Sequence, residues 1–338
     1  MKRIAACLVA GLLAGPSLAF GQVGDVNKIL ADARAALGGE KKLTALKTFV
    51  ATGRQTKVQN NQSQAPTDYE IAFESPDKFV KKETLATLGN AAITRTSGFN
   101  GEIPINVIDQ PPAGGNVVVR FGSGPGPGEA QTPEQRQEAQ KRMLLSNRQD
   151  FARFTLGIVA ASLPAYPLQF SYAGQAESPD GKADIVDVKG EGDFAVRLFI
   201  DAKTHLPLML SWMAREPIVL QNVVGGPGRG GAPANVAAGG GHVQVQQFGV
   251  AGGSGQARTL TPEERDKAAK DMEARVKEAQ AKARMVEYRL YYGDYQDVDG
   301  IMVPTWLQRS MDGKPTEETV FEKVKINSKI DPKKFETK

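Results

Sequence analysis

The sequence predicts an α+β protein in which consecutive strands form one antiparallel β-sheet, accompanied by a few helices. Three observations favour this class: an amphipathic helical period near residue 26, alternation of apolar and polar residues along most of the remaining chain, and recurrent tight-turn dipeptides. The dipeptides are Asn-Gly or Asp-Gly at 100–101, 180–181, 299–300 and 312–313. Because they accept the positive φ angles of two-residue hairpins, the strands that they join are expected to run antiparallel.

The N-terminal segment has the pattern of a secretory signal peptide. A basic start at Lys2 and Arg3 precedes an apolar run from Ile4 to Ala14, and small residues then lead to a cleavage expected after Ala19 or Gly21. The run is shorter than the roughly 20 apolar residues that a membrane-spanning helix needs, and no second such run follows. We therefore predict a periplasmic protein whose mature chain has no membrane span.

The organisation that follows is a signal peptide over residues 1–21 and one mature domain over 22–338. Gly/Pro-rich and helical insertions interrupt that domain at about 122–150 and 214–285. Loss of Lys2 and Arg3 with the signal lowers the formal net charge from +4 to +2, and the basic residues form no runs, so no nucleic-acid partner is expected. Cys7 is the only cysteine and also leaves, which excludes disulfides and cysteine nucleophiles from the mature chain.

The first element of the mature chain is an amphipathic helix over "GDVNKILADARAALGG", with Asp25 as its N-cap and Gly38-Gly39 at its end. From Lys47 the apolar period changes to two, as in "KTFVATGRQTKV" and "DYEIAFESPDKFVKKE". The same apolar period of two recurs in later segments, which are "PLQFSYAG", "KADIVDVKG", "FAVRLFIDAKT", "LPLMLSWMA", "MVEYRLYYGDY", "IMVPTWLQRS" and "ETVFEKVKI". These segments are predicted to be strands of one meandering sheet.

Two segments outside this rhythm are predicted to be helices. "QTPEQRQEAQKRMLLSNRQDFARF" has Thr132 as its N-cap and Pro133 in its first turn. The second helix spans Thr261 to Ala283 after a Gly-rich stretch from Gly225 to Gly255, and it has a narrow apolar stripe among many charges. It is either a solvated helix at the sheet edge or a docking arm for an envelope protein partner.

No catalytic or metal-binding constellation can be assembled from the sequence. "DYQDVDGIMVP" lacks an acidic residue at 295 and a glutamate at 306, which a calcium loop ending on Asp299-Gly300 would need, and is predicted to be a hairpin turn. His205 and His242 are isolated in a turn and in the Gly-rich stretch, and the glycine string Gly226–Gly231 precedes no helix that could bind a phosphate. We therefore expect no enzyme, no cofactor and no metal.

The pattern of turns and strands resembles a known family. The segments that carry the resemblance are the helix ending in "ALGG", the strand "LKTFVATGR", the turn "GFNG", the pair "LFIDAKTHLPLMLSW" and the closing "DYQDVDGIMVPTWLQRSMDGK" with "VKINSKIDPKKFE". Together they resemble the outer-membrane lipoprotein carriers and their LolA-like relatives, over most of residues 23–122 and 151–336. The resemblance implies an unclosed barrel, a strongly curved antiparallel sheet that wraps helices around an apolar cavity for acyl chains.

The function that the resemblance implies is a periplasmic carrier or binding protein for a lipid or lipoprotein acyl chain, acting in transport towards the outer membrane without catalysis. A concave apolar sheet suits that task because burial of acyl surface contributes about 25 cal/mol per Å² without bonds of fixed geometry. The candidate lining residues are Phe73, Phe79, Phe170, Tyr172, Phe199, Leu208, Leu210, Trp212, Tyr288, Leu290, Tyr292 and Trp306. The alternative is an envelope sensor or protein-interaction module of the same fold, acting through the helix from Thr261 to Ala283.

Overall fold

A computed structural model describes most of the chain after residue 24. The described residues are 25–59, 62–88, 91–109, 120–121, 132–179, 181–216, 219–222, 244–247 and 281–337, with the single positions 263, 274, 278 and 279. The predicted signal peptide, most of the two Gly-rich stretches, His242 and most of the helix from Thr261 to Ala283 lie outside these residues. Within the described part of the chain, no helix is both long and apolar enough to cross a membrane.

One large antiparallel sheet forms the body of the structure, as the hairpin dipeptides predict. Its strand order is β6-β5-β4-β3-β1-β16-β15-β14-β11-β10-β9-β8, with β2 paired to β1, and β12, β13 and β7 form a separate small sheet. The strands are β1 Thr48–Gln59, β2 Gln62–Ser63, β3 Thr67–Glu74, β4 Lys78–Leu88, β5 Ala91–Asn100, β6 Ile103–Asp109, β7 Arg120–Phe121, β8 Gln169–Ser178, β9 Gly181–Gly190, β10 Phe194–Asp201, β11 Pro207–Arg215, β12 Val219–Asn222, β13 Gln244–Gln247, β14 Met285–Val298, β15 Ile301–Met311 and β16 Lys314–Ile326.

The hairpin that connects β14 to β15 accounts for the stretch "DYQDVDGIMVP". Val298 pairs with Ile301, so Asp299 and Gly300 form a two-residue loop, and both have positive φ angles of 51° and 81°. The backbone N–H of Gly300 donates to the Asp297 side chain at 2.6 Å, which stabilises the turn. The hairpin prediction is confirmed at this position.

The two longer helices begin at the predicted caps. Helix α1 spans Val26–Ala36, and the Asp25 carboxylate accepts a hydrogen bond from the N–H of Asn27. A short helix, α2, spans Glu40–Thr44, where the sequence reading had none. Helix α3 spans Pro133–Val159 and begins with a capping box between Thr132 and Gln135.

Helix α3 contacts strands from opposite ends of the sheet, and this requires the sheet to be strongly curved. The Phe151 ring packs against Phe79 and Phe99, on β4 and β5, at centroid distances of 5.1 and 5.6 Å. Two residues later, the Arg153 guanidinium lies over Phe194 of β10. In a flat sheet β5 and β10 would be about 38 Å apart, since neighbouring strands are spaced by about 4.8 Å. The sheet therefore bends around α3 without closing, because β6 and β8 remain its two ends.

The main core lies between the inner face of this sheet and the second half of α3. The helix contributes ten buried residues, from Leu144 to Val159. Gly157 permits the closest approach, because a Cβ atom there would lie 2.4 Å from the ring of Tyr292 on β14. A smaller core on the outer face packs the C-terminal 3-10 helix, Pro332–Phe335, against Ala72, Val80 and Ile105. The second half of α3 is thus part of the central core, and its first buried residues, Leu144 and Asn147, lie within the insertion predicted at about 122–150.

Truncation of Phe151 should destabilise the protein strongly. Its ring contacts the rings of Phe73, Phe79 and Phe99, so Phe151→Ala leaves a cavity and should lower the free energy of unfolding by about 3–5 kcal/mol. Urea unfolding followed by circular dichroism measures the change. Arg142→Ala, on the exposed first half of α3, is the control and should change stability by less than about 0.5 kcal/mol. A loss below about 1 kcal/mol for Phe151→Ala would show that α3 is not part of the core.

Candidate functional site: a charged cavity inside the curved sheet

Nine of the twelve candidate lining residues face the inside of the sheet. Seven are buried there against the core, and two, on the edge strand β8, are partly buried opposite Val188 and Val186 of β9. The buried seven are Phe73, Phe79, Leu210, Trp212, Tyr288, Leu290 and Tyr292, and the two edge residues are Phe170 and Tyr172. Seven of these nine side chains are therefore packed into the core of the structure as it stands.

The other three candidates do not join them. The buried residues of β10 are those with even numbers, so Phe199 points to the outer face. Leu208 is the extra residue of a bulge, since Phe199 pairs with Met209 and Ile200 with Pro207, and its side chain is 38% exposed. Trp306 lies on the outer face over Gly293, its pairing partner on β14.

A small cavity remains between α3 and the inner face. Its volume is about 40 Å³, room for on the order of three water molecules. One wall is apolar and consists of Ile71, Phe79, Phe154, Leu290 and Leu307. The rest is polar and contains Tyr69, Lys81, Asp150, Arg153, Arg309, Glu317 and Thr319. Only Phe79 and Leu290 of the twelve candidates line it.

Asp150 of α3 is the centre of the polar wall. Its carboxylate accepts hydrogen bonds from Lys81 Nζ at 2.6 Å and from Arg153 at 3.1 Å, and all three side chains are at least four-fifths buried. Burial alone would raise the pKa of Asp150, but the attraction of Lys81, Arg153 and Arg309 is larger and holds that pKa well below its usual value. Asp150 is therefore ionised at neutral pH and shared by two cations.

The Arg153 side chain connects this wall to the aromatic residues of β10 and β11. Its guanidinium lies 4.9 Å from the ring centroid of Trp212 and 5.2 Å from that of Phe194. Cation–π contacts of this kind contribute on the order of 1 kcal/mol and hold the guanidinium plane in place. The Arg153 head group is thus fixed by the rings as well as by Asp150.

Further charges alternate in sign across neighbouring strands. In the strand register, Glu317 of β16 lies opposite Lys57 of β1 on one side and opposite Arg309 of β15 on the other. Lys57 Nζ lies 3.2 Å from Glu83 Oε2, and both side chains are nearly buried. Burial opposes ionisation of Glu83, but Lys57 and the nearby cations Lys81 and Arg95 lower its pKa. One end of the inner face is therefore an ionic network, whereas the other end is aromatic.

The sequence reading missed this network, although strand parity contains a signal for it. Alternate residues of a strand face the same side of the sheet. Lys81 therefore faces the same side as Phe79, Arg309 the same side as Leu307, and Glu317 the same side as Phe321. Charged residues at inward positions of otherwise apolar strands are unusual enough to mark a site. Asp150 and Arg153 gave a second signal, because they interrupt the apolar stripe at the end of α3.

The histidine and the aspartates that the sequence analysis considered as catalytic or metal-binding groups lie at turns of the structure. His205 lies at a turn with a positive φ of 59°. The aspartates of the β14–β15 hairpin serve the turn, with Asp297 accepting from the Gly300 N–H. Among the described residues, no group of three or more His, Cys, Asp or Glu side chains is placed to hold a metal ion.

Comparison with known proteins gave structural matches but no match in sequence. No protein-family model and no curated protein matches the chain. The similar crystal structures include a LolA superfamily protein from Nitrosomonas europaea, at 10% identity and TM-score 0.40. They also include a domain named for outer membrane lipoprotein sorting from Vibrio parahaemolyticus, at 8% identity and TM-score 0.40, and a DUF1329 family protein from Desulfovibrio piger, at 8% identity and TM-score 0.42. In each case the alignment covers 92% of this chain and 97% of the other.

The role of Asp150 in the network predicts a pH-dependent loss of stability. Asp150→Asn leaves Lys81 and Arg153 without their shared anion and should cost about 3 kcal/mol near pH 7, as for other broken buried ion pairs. Because folding lowers the pKa of Asp150, its contribution is present above the unfolded-state pKa and is lost as the pH falls below about 4. The difference between wild type and variant, measured by urea unfolding, should therefore narrow below about pH 4.

The control is Asp187→Asn, which breaks the more exposed pair with Arg197 and should cost less than about 0.5 kcal/mol at either pH. An Asp150→Asn variant as stable as wild type at neutral pH would contradict the proposed role of this carboxylate.

Proposed function

We propose that this chain is a binding or carrier protein of the cell envelope that holds the acyl chain of a lipid or lipoprotein on the inner face of its curved sheet, without catalysing a reaction. The observation that supports the proposal most directly is that helices, and not a second sheet, cover the inner face within the part of the chain that the structure describes. A large apolar surface, rich in aromatic residues, is covered mainly by the second half of α3, and α1 and α2 add Leu30, Ala33 and Leu43 to the same core. An acyl chain offers the same kind of surface as the helix does.

The size of the cavity determines how such a ligand would bind. About 40 Å³ between α3 and the sheet is far too little for an acyl chain. We infer that α3 moves away from the sheet when a ligand enters. Burial of the chain contributes about 0.8 kcal/mol per methylene group, which can offset the packing lost by the helix.

The arrangement of α3 is compatible with such movement. Its first half is exposed, and its second half is held by side-chain packing and by side-chain polar contacts. These contacts include the Asp150–Lys81 ion pair and a hydrogen bond from the Asn147 side chain to the carbonyl of Gly98. The hydroxyl groups of Tyr292 and Tyr295 also donate to carbonyl groups of the helix. An element that covers an apolar face without belonging to the sheet can leave it while the strand pairing stays intact.

The first test is chemical identification of bound lipid. The full chain, expressed with its own N-terminal segment and purified without strong detergent, is extracted with organic solvent and the extract is analysed by mass spectrometry. We expect acyl lipid in near-stoichiometric amount. Empty protein that also binds no acyl probe would contradict the proposal and favour the partner-binding alternative.

A matched pair of variants tests where the chain binds. Leu290→Gln places an amide on the inner face, where an unpaired polar group costs about 1–3 kcal/mol, and should weaken binding of a fluorescent fatty acid by roughly tenfold. Leu208→Gln makes the same change at the exposed bulge and should alter the affinity by less than about twofold. Equal effects of the two variants would place the ligand elsewhere.

A further inference from the structure

The polar wall of the cavity has more positive than negative side chains. Lys81, Arg153 and Arg309 face it, against the two carboxylates of Asp150 and Glu317. Asp150 is already shared by two of the cations. The cavity therefore has a net positive charge although its walls are largely buried.

Hydrogen-bond donors at the same place lack acceptors. The Nε atoms of Arg153 and Arg309 are buried and have no partner among the described residues. A buried donor that is left unpaired costs about 1–3 kcal/mol. The Arg309 donor stays beside the cavity when α3 moves, and a positively charged donor of this kind fits an anionic acceptor.

The apolar wall determines what kind of molecule would bring that anion. Ile71, Phe79, Phe154, Leu290 and Leu307 line the other side of the cavity, and this apolar surface continues into the aromatic core around Phe151. A ligand that satisfies both walls has an anionic group at one end and a hydrocarbon chain at the other. We propose that Lys81 and Arg309, which belong to the sheet, bind the carboxylate or phosphate head group of an amphiphile in place of the Asp150 carboxylate, and that the hydrocarbon chain lies along the position of α3.

This assignment rests on the proposed function, because it adds the class of head group to the acyl chain. Guanidinium groups bind carboxylate and phosphate oxygens through directed, charge-assisted hydrogen bonds. The head group would replace the few water molecules that the cavity can hold, and it would fix which end of the ligand points towards β15 and β16. Orientation of the ligand follows from charge rather than from shape.

The test compares ligands with one chain and different head groups. Dodecyl phosphate, dodecanol and dodecylammonium, each below its micellar concentration, are titrated into the full-length protein by calorimetry, and inorganic phosphate is titrated alone. We expect dodecyl phosphate to bind at least roughly tenfold more tightly than dodecanol, dodecylammonium to bind most weakly, and inorganic phosphate to bind far more weakly than dodecyl phosphate.

Variants then locate the head group. Arg309→Gln should bring the affinity for dodecyl phosphate to within about twofold of that for dodecanol, and Arg309→Lys should restore part of the difference. Arg54→Gln is the control, because Arg54 pairs with Asp68 and its side chain is 48% exposed; it should change neither affinity. The head-group comparison in the wild-type protein decides the matter even where a variant does not fold.

Each other outcome has a distinct meaning. Equal binding of dodecyl phosphate and dodecanol would overturn the head-group assignment and leave the acyl-binding function standing. Inorganic phosphate binding as tightly as dodecyl phosphate would show a site for a free anion and would also overturn the assignment. Absence of binding by all three amphiphiles would overturn the proposed function together with this inference.

Discussion

The packing of α3 into the sheet is the constraint on which the rest of the structure depends. An antiparallel sheet can leave one face to water, but its apolar face has to be covered. Here the same turns of one helix cover strands from both ends of the sheet, with Phe151 against β4 and β5 and Arg153 against β10 and β11. Curvature of the sheet, burial of the aromatic core and formation of the charged cavity all follow from this arrangement.

The ionic network is harder to explain as a contribution to stability. Moving charges out of water costs several kcal/mol per ion, and a well-packed apolar replacement is often as stable or more stable. Lys57, Glu83 and Lys81 on the inner face, and Asp150 on α3, nevertheless have little exposure. Their pairing offsets much of that cost, whereas the buried Nε of Arg309, beside the cavity, has no acceptor among the described residues. Binding of an anionic group gives this donor an acceptor, which is why we connect the network to the ligand rather than to folding.

Local signals in the sequence were sufficient for the elements themselves. Asp25 and Thr132 cap their helices as predicted, and Asn100-Gly101, Asp299-Gly300 and Asp312-Gly313 each lie where two paired strands meet. These features depend on backbone preferences within a few residues, so one sequence contains enough information to predict them.

Features that depend on distant residues were not predictable in the same way. Leu208 has the parity of Leu210, but a bulge whose position depends on pairing with β10 places its side chain at the rim. Phe199 and Trp306 were chosen as large aromatic residues, although their neighbours on the strand take the inward positions. The contacts of Asp150 with Lys81 and of α3 with both ends of the sheet join residues far apart in sequence, and no local pattern specifies them.

The central claim is that an acyl ligand takes the place of α3 on the inner face of the sheet. Hydrogen exchange measured by mass spectrometry, with and without saturating dodecyl phosphate, tests it directly. In the empty protein, amides of residues 144–159 should exchange as slowly as those of β1 and β14, because all belong to one core. With ligand, we expect faster exchange in residues 144–159 while the strands remain protected. Unchanged or slower exchange in the helix would contradict the claim and would mean that α3 is a fixed part of the core.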